Sequence, residues 1–254
     1  MPSRDSEAII LRSYPLGEAD RLVSFLSRAH GRMRGVAKGA RRPKSRFGAT
    51  LECCSYIRIW FYERETRDLV QITQCELQES FMSAFGNYEA GNTLSLLSEI
   101  SESVLPEREP LDASFRLLLS TARAIQNSRQ TALPAAYFAL WTMRLSGWLP
   151  ALDRCARCGE NLTGKQGYAA HARSGLWCQN CRKPGMSIIS GAALDAARPM
   201  LSEGLQVLLE RNPPLAAQEL RELTKFLLNG IEHQIERKLT TRAFMNADRM
   251  ELKV

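Results

Sequence analysis

The chain has 254 residues and a formal net charge of +7, and 44% of its residues are hydrophobic, as expected for a globular protein with a buried core. No stretch of the sequence is as long and apolar as a transmembrane helix, which needs about 18 apolar residues. Residues 1–7 also lack the apolar run of a secretory signal. The basic balance favours an anionic partner such as nucleic acid. These features predict a cytoplasmic protein.

Residues 1–80 are predicted to form a small β-domain. Short apolar or alternating runs indicate five strands, at 8–11, 22–26, 31–38, 56–62 and 69–72. Five strands in so short a segment predict a barrel or a sandwich. In the fourth strand, Ile57, Ile59 and Phe61 lie on one face. The residues on its other face include Tyr56, Trp60 and Tyr62, which could either stack on bases or belong to a core.

From residue 81 onward, the spacing of apolar residues becomes helical. We predict helices that begin near residues 112, 132 and 190, the last of them continuing to residue 208, and an amphipathic helix through 220–235. The local signals are two N-caps, a first-turn proline and a left-handed C-terminal glycine. These residues are Asp112 and Ser190, Pro134, and Gly147.

The predicted fold class is therefore α+β, with a β-domain followed by a helical domain that carries a cysteine-rich insert. The predicted domains are 1–80, 81–150 and 188–254, with the insert at 151–187.

Four cysteines in the insert have the spacing of a metal site. Cys155 and Cys158 form one Cys-x-x-Cys pair, and after nineteen residues Cys178 and Cys181 form another. This pattern predicts one zinc ion per chain held by four thiolates. Four protein ligands leave no open coordination position, so the zinc would be structural. A thioredoxin-like redox centre would need a βαβ context that is absent, and four free thiols are the remaining alternative.

The other three cysteines lie in sequence that resembles strands. Cys53, Cys54 and Cys75 are predicted to be small buried residues.

A long basic segment lies within the predicted β-domain. Residues 21–51 contain nine Lys or Arg residues and no acidic residue. Such a density of cations can neutralise phosphates without sequence preference, and the alternative is a solvated loop with no partner. A phosphate-binding P-loop is excluded, because Pro43 stands where the motif needs a glycine. The candidate DNA contacts are Arg32, Arg34, Lys38, Arg41, Arg42, Lys44 and Arg46.

Signals of catalysis are weak. The three histidines form no His-Glu-x-x-His unit, and the chain has no Gly-x-Ser-x-Gly elbow. We therefore predict a protein that is not an enzyme. A zinc hydrolase would need an open metal position, and a zinc-ribbon transcription or RNA-associated factor is the main alternative.

Four segments of the chain resemble a known protein family: residues 7–12 (EAIILR), 17–21 (GEADR), 30–45 (HGRMRGVAKGARRPKS) and 239–244 (LTTRAF). They are similar to the RecO family of bacterial recombination proteins, with Thr241 where the family pattern suggests serine. The resemblance implies an OB-fold in residues 1–80 and a zinc insert in the helical domain. It further implies single- and double-stranded DNA binding, strand annealing, and RecA loading with RecR onto DNA coated by single-strand-binding protein. Nucleoid association follows from that role.

The resemblance also implies that the chain grips the acidic C-terminal tail of single-strand-binding protein, which ends in an apolar residue. Cations beside an apolar surface fit such a tail. The alternative is a basic helix end that interacts with its own dipole. The candidate residues are Arg237, Lys238, Arg242 and Phe244.

Overall fold

The computed structural model describes residues 3–63, 68–169 and 175–243. The chain divides into two compact units, Met1–Arg129 with Leu239–Val254, and Gln130–Lys238. The predicted α+β class is confirmed, with the sheet N-terminal and helices C-terminal. The domain boundaries drawn from the sequence stay a prediction.

The first unit contains β1 (Ser3–Leu16), β2 (Asp20–Ser27), β3 (Gly31–Ala37), β4 (Tyr56–Tyr62), β5 (Val70–Glu79), α1 (Tyr88–Val104) and α2 (Asp112–Ser128). The second contains α3 (Ala132–Leu145), β6 (Gly167–Ala169), β7 (Ser187–Ile189), α4 (Gly191–Ser202), α5 (Leu205–Leu209) and α6 (Ala217–Gln234). None of the described helices combines the length and apolar character that a membrane span needs.

The five strands of the first unit close into a barrel in the order β1-β2-β3-β5-β4. The predicted strands are confirmed, although β1 and β5 are longer than predicted. β1 pairs with β4 through its first half and with β2 mainly through its second half, and the register shifts between Ile10 and Arg12. The predicted alternation of β4 is confirmed, and the structure shows that the face with Ile57, Ile59 and Phe61 is the buried one.

Glycine at position 35 allows the barrel to close. The β3–β5 pairing is the parallel one, and it includes Gly35 opposite Val70. A Cβ at Gly35 would lie 2.9 Å from the Val70 carbonyl oxygen and 2.8 Å from its Cγ2. A side chain at this position would therefore push the two strands apart.

Two of the cysteines predicted in strand-like sequence lie elsewhere. Cys53 and Cys54 occupy a turn before β4, because Cys54 adopts a left-handed φ of 64°. The Cys54 N–H donates to the carbonyl oxygen of Ile10 at 2.8 Å. Cys54 is fully buried and Cys53 is half-buried, whereas Cys75 lies buried in β5 as predicted.

The predicted helix signals hold at three of the four positions. The Ser190 hydroxyl accepts from the Ala193 N–H, Pro134 lies in the first turn of α3, and Gly147 has a left-handed φ of 71°. Asp112 is not an N-cap, because α2 begins one residue earlier than predicted. The Asp112 carboxylate instead accepts from Arg28 at 2.7 Å.

The predicted helix from 190 to 208 is interrupted. α4 ends at Ser202, and Glu203 and Gly204 are extended before α5 begins. Glycine is a poor helix former, so the apolar spacing continues across a break in the helix. The amphipathic prediction for α6 is confirmed, since Leu223, Leu227 and Ile231 are buried.

A buried carboxylate joins three segments of the first unit. Glu99 of α1 is only 2% exposed, and it accepts hydrogen bonds from the backbone and hydroxyl groups of both Thr240 and Thr241 at 2.5–2.9 Å. Arg12 of β1 lies 3.3 Å from the same carboxylate. Burial alone would raise the pKa of Glu99, but the bonds from Thr241 and Thr240 outweigh it and lower the pKa to about 2.

We predict that Glu99→Gln lowers the free energy of unfolding by roughly 2–3 kcal/mol at neutral pH, because an amide cannot accept all these bonds. Since the folded pKa is depressed, the contribution of Glu99 is fully present above the unfolded pKa of about 4.3. It is then lost as pH falls toward 2. Denaturant unfolding at pH 7 and pH 3 measures both effects.

The matched control is Glu102→Gln, on the same helix. Glu102 makes one ion pair with Arg12 at 2.9 Å and is more exposed, so its loss should cost less than about 1 kcal/mol. Equal losses in the two variants would contradict the role given to Glu99.

Candidate metal centre and nucleic-acid interface

Each Cys-x-x-Cys pair of the second unit lies on a tight turn. In the first, the Gly159 N–H donates to the Cys155 carbonyl at 2.9 Å, and Gly159 has a left-handed φ of 76°. In the second, the Cys181 N–H donates to the Cys178 carbonyl at 3.1 Å. Such turns direct both sulfurs of a pair to the same side.

The structure brings the two turns together. The four Sγ atoms all lie within 4.8 Å of one another, and those of Cys158 and Cys178 are 3.7 Å apart. Zinc–sulfur bonds of about 2.3 Å in a tetrahedron place sulfurs about 3.8 Å apart. The cluster of Cys155, Cys158, Cys178 and Cys181 can therefore hold a metal ion, and its all-thiolate donor set fits zinc.

The thiols differ in acidity. Burial opposes ionisation of Cys155, but backbone N–H groups, including those of Cys178 and Arg157, lower its pKa to about 6. The Glu160 side chain and burial raise the pKa of Cys178 to about 12. The cluster thus begins with one acidic thiol, and a bound cation would stabilise the remaining thiolates.

Two short strands and two aromatic residues support the cysteine cluster. β6 pairs with β7, and Tyr168 and Trp177 exchange backbone hydrogen bonds at 2.8 and 2.9 Å. Arg157 and Lys183 each lie 5.7 Å from the centre of the Trp177 ring. Their positive charges lie close to the sulfurs in sequence, where they can offset the negative charge of a four-thiolate site.

Many cations of the basic segment in the first unit are engaged by acids from outside residues 21–51. Arg28 pairs with Glu7 and Asp112, each at 2.7 Å. Arg32 donates to the Leu105 carbonyl at 2.8 Å and pairs with Glu107. The same Glu107 carboxylate lies 3.2 Å from Arg34, and Glu52 lies 3.6 Å from Arg21.

Residues 38–46, here called the basic loop, follow β3 and are attached to the turn between β1 and β2. The Arg41 guanidinium donates to the Gly17 carbonyl at 2.7 Å, and its backbone N–H donates to Ala19. The Gly39 N–H donates to the Asp20 carboxylate at 2.8 Å. The basic loop therefore has a fixed backbone position on the barrel.

All five cations of the basic loop are exposed, and four of them, Lys38, Arg42, Lys44 and Arg46, are not attached to the β1–β2 turn as Arg41 is through Gly17. Within the part of the chain that the structure describes, none of them forms an ion pair. Arg46 lies 5.2 Å from the centre of the Phe47 ring, which orients its guanidinium at the surface. The structure thus brings these four together on one loop and places Arg32 in an intramolecular network.

The aromatic face of β4 divides into two parts. The Tyr56 hydroxyl donates to Glu7 at 2.7 Å, and its ring packs edge-on against Phe115 of α2. Trp60 is half-buried with Arg58 5.7 Å from its ring centre, and Tyr62 is exposed. Tyr56 therefore packs against α2, whereas Trp60 and Tyr62 each keep part of the side chain accessible to solvent.

The first two C-terminal candidates do not lie on a helix. α6 ends at Gln234, so Arg237 and Lys238 follow it rather than forming its last turn, whereas Arg242 is helical. Lys238 pairs with the buried Glu232 at 2.8 Å. Arg242 belongs to the first unit, and Phe244 lies outside the described residues.

Sequence reasoning missed the acids that engage the basic segment. Glu107 neutralises Arg32 and Arg34 from 70 or more residues away, and Asp20 fixes the basic loop through the Gly39 backbone. Counting the charges along the sequence cannot reveal pairs between residues that are so far apart. Asp20 just before the segment and Glu52 just after it were the local signals.

The chain matches two family descriptions that together span most of its length. Residues 1–81 match "Recombination protein O N terminal", and residues 87–243 match "Recombination protein O C terminal". The chain belongs to the recombination protein O (RecO) family. RecO family membership supports a role of the chain in DNA repair and recombination.

Relatives in the RecO family match over most of their length. A DNA repair protein RecO from Koribacter versatilis is 34% identical over 238 residues, which cover 94% of this chain and 96% of the relative. One from Nocardioides sp. is 32% identical over 245 residues, with 94% and 97% covered. One from Syntrophobacter fumaroxidans is 36% identical over 176 residues, with 69% and 70% covered.

We predict that Arg32→Ala destabilises the protein by about 1–2 kcal/mol, because it leaves the Leu105 carbonyl without its guanidinium donor and removes one of the two ion pairs of Glu107. The control is Lys44→Ala in the basic loop, which should change stability by less than about 0.5 kcal/mol. Chemical denaturation of both variants measures the difference, and equal stability would remove Arg32 from its assigned structural role.

Proposed function

We propose that this RecO family member is a recombination mediator that binds single- and double-stranded DNA through the basic loop. The observation that carries the proposal is the set of four exposed cations, besides Arg41, that have no acid partner among the described residues and lie on one positioned loop of the barrel. Because its partner is nucleic acid, the protein would act at the nucleoid in the cytoplasm.

The barrel is proposed to be an OB-fold. Its support is the strand order β1-β2-β3-β5-β4 in a closed five-stranded barrel, with antiparallel pairing everywhere except between β3 and β5. OB-folds bind oligonucleotides over strands β2 and β3 and adjoining loops. The basic loop leaves the end of β3 and is attached to the β1–β2 turn, which is consistent with that mode of binding.

The contacts are proposed to be with phosphates. Lys38, Arg42, Lys44 and Arg46 would bind the DNA backbone, with Arg34 beside them at the edge of the barrel. Arg41 would mainly hold the loop against Gly17, and Arg32 would position Glu107. Contacts restricted to phosphates carry no sequence preference and leave base edges free to pair. This is the property that annealing of complementary strands requires.

Partner proteins and the absence of catalysis complete the proposal. We infer that the protein works with RecR to load RecA onto DNA coated by single-strand-binding protein, and that it is not an enzyme. The four cysteines support a structural rather than catalytic metal, because four thiolate ligands complete a tetrahedron. When bound, the zinc would link the two turns of the insert.

The tail of single-strand-binding protein is proposed to bind the second unit. A cavity of about 490 Å³ there is lined by apolar residues that include Trp148 and Phe226, beside Lys225 and His233. An acidic tail that ends in an apolar residue fits such a combination. Arg237 and Lys238 follow the cavity-lining Gln234 closely in sequence, so they stay candidates for this site.

We predict that replacing Lys38, Arg42 and Lys44 together with Glu weakens single-stranded DNA binding by roughly 10- to 100-fold at low salt. If about four phosphates are neutralised, the wild-type log–log salt slope should be near −3, and the variant slope should be near −1. Fluorescence anisotropy with labelled oligonucleotides over a salt series measures both.

A charge-matched control separates a local contact from net charge. It replaces Arg116, Arg198 and Arg221 with Glu, since these are exposed helical cations outside the basic loop. Its DNA affinity should stay within about threefold of wild type, because only long-range electrostatics change. Equal weakening in both triple variants would move the DNA site away from the loop.

We predict one zinc per chain, which elemental analysis of the purified protein measures. Cys155→Ser should lose the metal and lower the thermal midpoint by at least about 5 °C, because zinc binding stabilises the folded insert. Cys53→Ser, outside the cluster, should retain full zinc content. A wild-type protein free of zinc with four reactive thiols would refute the assignment.

The function is tested by annealing of complementary strands coated with single-strand-binding protein. We expect wild type to accelerate annealing, and to load RecA in the presence of RecR, whereas the triple loop variant should do neither. A zinc-ribbon transcription or RNA-associated factor would bind nucleic acid and leave the annealing rate unchanged.

A further inference from the structure

Two adjacent cysteines in the first unit have their sulfurs almost in contact. The Sγ atoms of Cys53 and Cys54 are 3.8 Å apart. Neighbouring side chains of an extended strand point to opposite faces, but the left-handed φ of 64° at Cys54 breaks that alternation. A left-handed conformation is unfavourable for a non-glycine residue, so the turn maintains this proximity against strain.

The two sulfurs share one polar neighbour. The Ser98 hydroxyl of α1 lies 3.4 Å from the Cys53 sulfur and 3.2 Å from the Cys54 sulfur. Cys53 is half-buried, whereas Cys54 is fully buried. A reagent that enters from solvent would meet Cys53 first.

The local electrostatics favour a thiolate at Cys53. The Cys54 thiol lowers the pKa of Cys53 by donating to its sulfur, burial opposes this, and Ser98 and Arg12 lower the pKa further. The pKa of Cys54 is raised by Cys53 and by burial, so Cys54 stays protonated. The pair thus combines an accessible nucleophile with an adjacent thiol that can resolve its oxidation product.

We propose that Cys53 and Cys54 are an oxidation site that closes to a vicinal disulfide when hydrogen peroxide reaches Cys53. The Cys53 thiolate attacks one peroxide oxygen, the O–O bond breaks, and the departing hydroxide takes a proton to become water. The resulting sulfenic acid is attacked by Cys54, which loses its proton as the S–S bond forms and a second water leaves. Two thiols lose two electrons and peroxide is reduced to two waters.

The product should be readily reversible. Adjacent Cα atoms are about 3.8 Å apart, below the 4.4–6.8 Å of ordinary disulfides, and such strain makes a disulfide easier to reduce. Forming the S–S bond would also change the contacts that both sulfurs make with the Ser98 hydroxyl. Ser98 directly precedes Glu99, so the modification acts where the barrel, α1 and residues 240–241 meet.

Cys75 provides an internal comparison. It is buried in β5, and burial raises its pKa to about 12. Trypsin cleavage after Arg46 and Arg58 yields a peptide whose only cysteines are Cys53 and Cys54, and Cys75 falls in another peptide. Their fates can therefore be followed separately from each other and from the zinc-binding cysteines.

In the experiment, the full-length, zinc-loaded protein is exposed to hydrogen peroxide, and free thiols are then blocked with iodoacetamide under denaturing conditions. The masses of the tryptic peptides are measured by mass spectrometry. We expect the 47–58 peptide to lose about 2 Da and resist alkylation, and dithiothreitol to restore both thiols. Cys75 should be alkylated fully. The variant Cys54→Ala should instead accumulate sulfenic or sulfinic acid at Cys53.

The variant Cys53→Ala should leave Cys54 reduced, because the accessible nucleophile is gone. The proposal is overturned if Cys53 and Cys54 of wild type are alkylated as fully as Cys75 after peroxide. It is also overturned if Cys53 is oxidised beyond the sulfenic acid while Cys54 stays free.

Discussion

The buried carboxylate of Glu99 is the interaction on which the architecture of the first unit depends. A single side chain of α1 receives four hydrogen bonds from Thr240 and Thr241 and the charge of Arg12 from the barrel. An ionised group with so little exposure is tolerable only when its lone pairs are occupied in this way. Residues far apart in sequence are thereby fixed to one helix.

Pairing also decides which cations of the basic segment are available to a ligand. Acids on distant segments engage Arg28, Arg32 and Arg34, and the cost of moving any of these guanidinium groups to a phosphate includes breaking its pair. Lys38, Arg42 and Lys44 carry no such cost within the described chain. The set of cations that is available to a ligand is therefore smaller than the run of basic residues in the sequence suggests.

Local rules predicted much of this molecule. The alternation in β4, the capping by Ser190 and the positive φ at Gly147 depend on a few neighbouring residues, and each is found in the structure. The spacing of the two Cys-x-x-Cys pairs likewise predicted that their sulfurs would meet. Such features need little knowledge of the rest of the chain.

The features that the sequence could not predict depend on distant partners or on competition between local interactions. The pairing of Glu107 with Arg32 spans 75 residues. Asp112 was expected to cap its helix, but the carboxylate pairs with Arg28 across the barrel surface. The turn at Cys54 replaced a strand because its N–H bonds to Ile10, a contact that only the folded barrel provides.

The attachment of residues 240–241 to Glu99 has a consequence for the order in which the chain can fold during synthesis. The barrel, α1 and α2 are complete once residue 129 has emerged from the ribosome, but at that stage Glu99 lacks the donors that compensate its burial. More than a hundred further residues must be translated before Thr240 and Thr241 exist. The nascent first unit must therefore hold a hydrated or protonated carboxylate, and it reaches its final stability only after the whole second unit has been made.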